Sequence, residues 1–182
     1  MLSRAAARHA LVLSTLATAI GSAQAQTAPP IKPGLWEIKS EREVDGQKAP
    51  DPNEQMKNLP PEVRARIEAT MKEKGIAVGE GGANRVCLSR ESLDQGQWQG
   101  QSDNCKTDFT SRSASSWKWR SVCTKPDSES DGEALFANNE SYTVKTLMKT
   151  KVQGQDHLTR TTIQAKWAGN DCGDLKPVQA RR

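Results

Sequence analysis

One histidine limits the chemistry open to most of this chain. The sequence holds two, His9 and His157, and His9 falls in an N-terminal segment that reads as a leader. Nucleophilic hydrolysis through Ser or Cys needs a base beside the nucleophile and a third group to orient that base. His157 would have to be the base, and the nearby chain offers Asp156, Thr159 and Thr161. It starts a strand just after the Gly154-Gln155 turn, so the simpler reading is a solvated turn histidine. Zinc sites built on two or three histidines are excluded by count.

Three short motifs imitate functional ones. Ser115–Lys118 spells S-x-x-K, which places Ser and Lys together only on a helix, where residues three apart share a face. Here Lys118 lies between Trp117 and Trp119 in a strand-like run, and strand residues three apart point to opposite faces. Asp127–Gly132 partly copies a calcium loop, in which a run of oxygens surrounds a hard cation and Gly permits the turn. The twelfth position, which needs a bidentate Glu, is Asn138. A solvated acidic turn is the plainer reading, with a calcium-dependent envelope protein as its functional counterpart. Asn139-Glu140-Ser141 is a formal glycosylation sequon.

Aromatic residues give the remaining binding candidates. Trp117 and Trp119 share one strand face, and Trp98 sits in a polar Gln/Gly-rich loop. A tryptophan-lined cavity would hold an apolar or carbohydrate ligand. The competing reading is a sheet core, which large aromatics fill well. Trp98 is the better candidate for a surface contact.

The elements that must position these residues are mostly strands. Gly34–Val44 alternates with period two, and Asp45-Gly46 follows as a turn. From Cys105 onward the chain reads as an antiparallel meander: Cys105–Arg112, Trp117–Cys123, Gly132–Ala137, Ser141–Val152 and His157–Trp167, with a polar turn expected over 125–131. One helix is predicted over Pro60–Lys74, with Pro61 in the first turn and Gly75 at the C-cap. Its Val63, Ile67 and Met71 form a stripe expected to pack on the sheet, the alternative being a partner-binding face. The fold class is α+β and β-rich: an antiparallel meander, open or barrel-like, with one packed amphipathic helix and two disulfides.

Met1–Ala25 has a basic start, a short apolar run and an A-x-A site, so it reads as a signal peptide cleaved after Ala25. The run is about half the length of a membrane span. Cleavage leaves 157 of 182 residues as a single domain, 26–182, ending in a polar tail near 173–182. Its 24 basic and 22 acidic side chains give a charge of +2, far from the bias of a nucleic-acid binder. No later stretch is long and apolar enough to cross a bilayer.

Four cysteines, Cys87, Cys105, Cys123 and Cys172, form no C-x-x-C. An even count in an exported chain points to two bridges. Cys105 opens one strand and Cys123 closes the next, which favours Cys105–Cys123 with Cys87–Cys172. The rival is Cys87–Cys105 with Cys123–Cys172.

Taken in order, Pro33–Ile38, Leu59–Arg64 through Lys74-Gly75, Val86–Ser89, the hairpin bounded by Cys105 and Cys123, and the closing Gly169–Cys172 resemble the exported bacterial family called domain of unknown function 3617. The resemblance implies a periplasmic location and no established activity. Asn170-Asp171-Cys172 departs from the family's more usual Gly-Asp-Cys ending. The function expected is a non-catalytic binding or interaction module of the cell envelope, with no cofactor, its ligand or protein partner unidentified. The alternative is a hydrolase or transferase that uses carboxylates alone, which requires two acidic side chains converging in a cleft.

Overall fold

A computed structural model describes residues 28–96, 98 and 104–178. The expected leader Met1–Ala25 and its cleavage site lie outside the described residues. The elements in order are β1 (Gly34–Val44), β2 (Gln47–Lys48), α1 (Pro52–Lys57), α2 (Pro61–Glu73), β3 (Ile76–Val78), a 3-10 turn (Glu80–Gly82), β4 (Asn84–Leu88), α3 (Arg90–Asp94), β5 (Cys105–Arg112), β6 (Ser116–Thr124), β7 (Asp127–Asn138), β8 (Ser141–Val152) and β9 (Gln155–Gly169).

All nine strands belong to one antiparallel sheet, ordered β3-β4-β1-β9-β8-β7-β6-β5, with β2 paired to β1. Strands β5 to β9 follow one another as hairpins, as their short turns predict. The sheet does not close into a barrel; β3 and β5 are its two ends. The first long strand, β1, pairs with the last, β9, from Leu35 opposite Gly169 to Val44 opposite Thr159.

Alternation decides where the core lies. Trp36 on β1, Ala165 on β9, Tyr142 and Val144 on β8, Ala134 and Phe136 on β7, and Trp117 and Trp119 on β6 are all buried. Leu93 of α3, Ile31 and the half-buried Trp98 pack on the same cluster. Ser89 caps α3 and exchanges hydrogen bonds with Ser92 in a capping box, which fixes the helix over the sheet. Three indole N–H groups find backbone acceptors: Trp36 on Lys32 O at 3.0 Å, Trp117 on Ser113 O at 3.0 Å and Trp167 on Pro33 O at 3.1 Å. Without such partners each buried N–H would cost about 1–3 kcal/mol. Burial also holds the Tyr142 phenol well above its ordinary range.

Further along the strands the same face turns from aromatic to hydroxylic. One cross-strand row runs Thr107, Ser121, Ser130, Met148, Thr159. Thr107 and Ser121 hydrogen-bond to each other at 2.7 Å.

Two expectations need correction. The polar turn over 125–131 is only Lys125-Pro126, because β7 begins at Asp127. Ser128 and Ser130 face inward there, while Glu129 and Asp131 face out toward Arg120. The second concerns the stripe on α2. The helix lies against the sheet at β3, yet none of its residues is buried. Val63 and Ile67 are 45% and 36% exposed. The side turned toward β3 carries Ala65, Glu68, Ala69 and Lys72; Met71 of the stripe is half-buried, while Val63 and Ile67 do not pack on the sheet.

The bridges are Cys105–Cys123 and Cys87–Cys172, the favoured pairing. The first joins directly opposed residues of β5 and β6. The second ties β4 to the segment after β9. Beyond it the tail stays attached: Val178 N donates to Cys87 O at 3.0 Å, and Val178 packs against the core.

Candidate functional site

The histidine finds a partner that its sequence neighbours did not supply. His157 Nδ1 lies 2.8 Å from Asp45 Oδ2, and Leu158 N donates to Asp45 Oδ1 at 2.8 Å. Asp45 belongs to the turn between β1 and β2, 112 residues away. The Leu158 N–H, and after it His157, holds the Asp45 carboxyl below its ordinary range. Asp156 instead pairs with Lys149 at 2.8 Å. The hydroxyl directly across the strand from His157 is Thr150. Its Oγ1 is buried and makes no hydrogen bond, so among the described residues no hydroxyl is hydrogen-bonded to the Asp45–His157 pair. Its visible work is to tie two strand ends together.

The imitation motifs dissolve in the sheet. Ser115 sits in the β5–β6 turn, while Lys118 on β6 pairs with Glu133 at 3.3 Å. Asp127–Gly132 is strand, so its alternate oxygens point to opposite faces and cannot surround one cation. The sequon lies at the β7–β8 turn, where Glu140 pairs with Lys32.

Trp117 and Trp119 are 1% and 7% exposed. Trp98 stands edge-on over both, with ring centroids 5.9 and 6.4 Å away, and 5.8 Å from Tyr142. Phe109 and Phe136 complete the cluster. These contacts fill the space beneath the tryptophans with other rings. Glu37 and Glu80 do share a cleft, of about 270 Å³, with Lys39, Ala83, Gln164 and Lys166. Both acids are exposed, and two lysines line the same opening. It is an open mixed-charge surface, without the water exclusion that catalytic pairs exploit.

Exposed apolar side chains are spread over the molecule: Val122, Leu135 and Leu147 on β6, β7 and β8, Val44, Val152 and Leu158 on β1, β8 and β9, and Val63, Ile67 and Val78 at the β3 end of the sheet. A groove of about 520 Å³ runs between α2 and β3, lined by Ala65, Glu68, Ala69, Lys72, Ala77 and Val78. Val78 is 38% exposed. Val63 and Ile67 lie on the other side of α2, away from this groove. A thirteen-residue helix with no buried residue gains little from tertiary packing. Sequence reasoning missed β3 altogether, since Ile76-Ala77-Val78 is too short to display a period.

The family model described as "Protein of unknown function (DUF3617)" matches residues 31–172. The chain belongs to this family. It is similar to an "Uncharacterized protein in lpd-3 5'region" of Pseudomonas putida, 34% identical over 140 residues, covering 73% of this chain and 96% of that protein. No solved structure matches. Among the described residues no helix is long and apolar enough to cross a membrane.

Proposed function

We propose that this family member is a non-catalytic interaction module of the bacterial periplasm, and that it holds a partner protein at the α2–β3 end of its sheet. One observation carries the reading: α2 exposes Val63 and Ile67 and buries no residue, while the aromatic residues elsewhere are packed into the core. The two stand one helical turn apart, so they form one apolar stripe that a partner can cover. The two disulfides fit an oxidising compartment, as does a leader of the kind read in Met1–Ala25. The Asp45–His157 pair without a bonded nucleophile accords with a role other than hydrolysis.

Site-specific photo-crosslinking in intact cells tests it. A crosslinker at position 63 or 67 is expected to give an adduct of one fixed mass. The same group at Lys118 or Arg120, paired on the outer face of the sheet with Glu133 and Asp131, is expected to give none. Adducts of equal yield from both faces, or none from either, would sink the proposal.

A further inference from the structure

At the β5 end of the sheet, free backbone groups and charges are arranged about one residue. Strand β5 is the last in the order, and no strand pairs with its outer side. Cys105 and Cys123 are directly opposed with Cα atoms 4.0 Å apart, close to the short spacing of a pair that exchanges no hydrogen bonds. Thr124 N donates to Asn104 O at 2.9 Å, so residues 104, 106 and 108 are the ones that bond to β6. The N–H and C=O groups of Cys105, Thr107 and Phe109 turn outward, and among the described residues nothing bonds to them.

Free edges are guarded by charge, by brevity or by a bulge. The register of β5 with β6 shifts between Phe109 and Ser111, which ends the straight run at Phe109. That run, Cys105–Phe109, has Thr107 at its centre. Its two charges, Lys106 and Asp108, flank the centre on the outer face, one of each sign. They lie 3.6 Å apart and are 82% and 71% exposed, so the contact within the strand leaves most of each group in water.

We infer that this edge pairs with the same edge of a second copy of the chain, antiparallel, about a twofold axis at Thr107. The two Thr107 residues form the central hydrogen-bonded pair, and Cys105 with Phe109 forms the pair on either side. Lys106 falls opposite Asp108 of the second copy at a non-hydrogen-bonded position, where side chains stand closest. On the inner face Phe109, half-buried within one copy, meets the Cys105–Cys123 bridge of the other. Charge selects this register. An axis at Lys106 sets lysine against lysine, an axis at Asp108 sets aspartate against aspartate, and parallel pairing in register does both. A slip of one residue sets outward backbone groups against groups already bonded to β6. The antiparallel complement of Lys-Thr-Asp is Lys-Thr-Asp, so the chain supplies its own partner strand. The α2–β3 end lies at the far end of the sheet order, so the dimer leaves it free in both copies and does not depend on what it holds.

Sedimentation velocity of the mature, disulfide-bonded chain over a range of concentrations tests the pairing. The ladder is short, so a monomer is expected near about 1 μM and a dimer near about 1 mM. Thr107→Pro removes the central outward N–H and keeps the bonds to β6, because proline is tolerated where the N–H faces away from the sheet. Its association is expected to fall by about tenfold or more. Lys106→Asp and Asp108→Lys each set like charges across the axis, and each is expected to associate about tenfold or more weakly than the parent. Mixed in equal amounts, the two charge variants place opposite charges at both positions and are expected to form a mixed dimer of parental strength. Mixing does not restore the contact within either strand, so the recovery reports pairing between copies and shows that both variants fold.

A parent chain that stays monomeric at the highest concentration would overturn the inference. So would a dimer that Thr107→Pro leaves intact, or a mixture that associates no better than either charge variant alone. Amide exchange followed by NMR separates the other occupants of the edge. The Thr107 amide is expected to slow only as the dimer forms. Protection at every concentration would mean that the chain's own remaining residues cover the edge, and protection only in periplasmic extract would assign it to a foreign strand; either result overturns the second copy.

Discussion

The ring of Trp119 covers Gly132 on the adjacent strand. A Cβ built on Gly132 would stand 2.2 Å from the indole Cε2 and 2.3 Å from Cζ2. The two residues are directly opposed in the β6–β7 ladder, so the missing side chain is what lets the tryptophan lie down. An aromatic placed over a glycine also restores burial that the glycine lacks.

Gly132→Ala must therefore lift or rotate a packed indole. The expected cost is about 1–3 kcal/mol, as for other overpacked cores. Urea unfolding followed by tryptophan fluorescence measures it. Stability equal to the parent chain would show that Trp119 moves freely.

Val63 and Ile67 make the opposite prediction. Both are exposed, so Val63→Asp and Ile67→Asp should each change stability by no more than about 0.5 kcal/mol. Trp36→Ala, at a position with no exposure, should cost about 3–5 kcal/mol. A large loss from either aspartate would mean that the stripe packs on the sheet after all.

Breaking the two bridges should have unequal effects. Cys87–Cys172 closes a separation of 85 residues and Cys105–Cys123 one of 18. Loop entropy makes the longer closure the more stabilising, within an overall range of about 2–5 kcal/mol. The double serine variant at 87 and 172 should also free the Val178 contact with Cys87. Denaturation midpoints rank the two variants, and non-reducing peptide mapping checks the pairing. A Cys87–Cys105 peptide would refute it.

Asp45 sets an acid dependence. Its carboxyl is held below its ordinary value of 3.8, first by the Leu158 N–H and then by His157. A depressed folded value means that the stabilisation is complete above 3.8 and is lost as pH falls through the lower, folded value. Asp45→Asn should therefore lower the melting temperature at neutral pH, and the gap to the parent should close as pH drops below that range. A gap that widens in acid would contradict the arrangement.

Much of this fold was legible in local pattern. The period-two alternation of Gly34–Val44 and Ser141–Val152 marks both strands with their observed ends. The parity of Cys105 and Cys123 marks their bridge. Parts resting on distant partners were not legible. Asp45 meets His157 across 112 residues, and no spacing rule connects them. The α2 stripe announces an apolar face but cannot reveal whether a surface waits to receive it. Asp127–Asp131 was readable in principle, since small Ser alternates there with acids. Its charge resembled a turn more strongly than its period resembled a strand. The docking end was hidden for a different reason: β3 reveals itself only through β4.

The pairing of β1 with β9 has a consequence in time. A chain made or threaded N-terminus first presents β1 early, but one whole side of that strand stays without its partner until residues 155–169 follow. Contacts so far apart in sequence form late and slowly. The β5–β8 hairpins can assemble on their own schedule, while the aromatic β1 waits in reach of other unfolded chains. The last strand is therefore the one that makes the first safe.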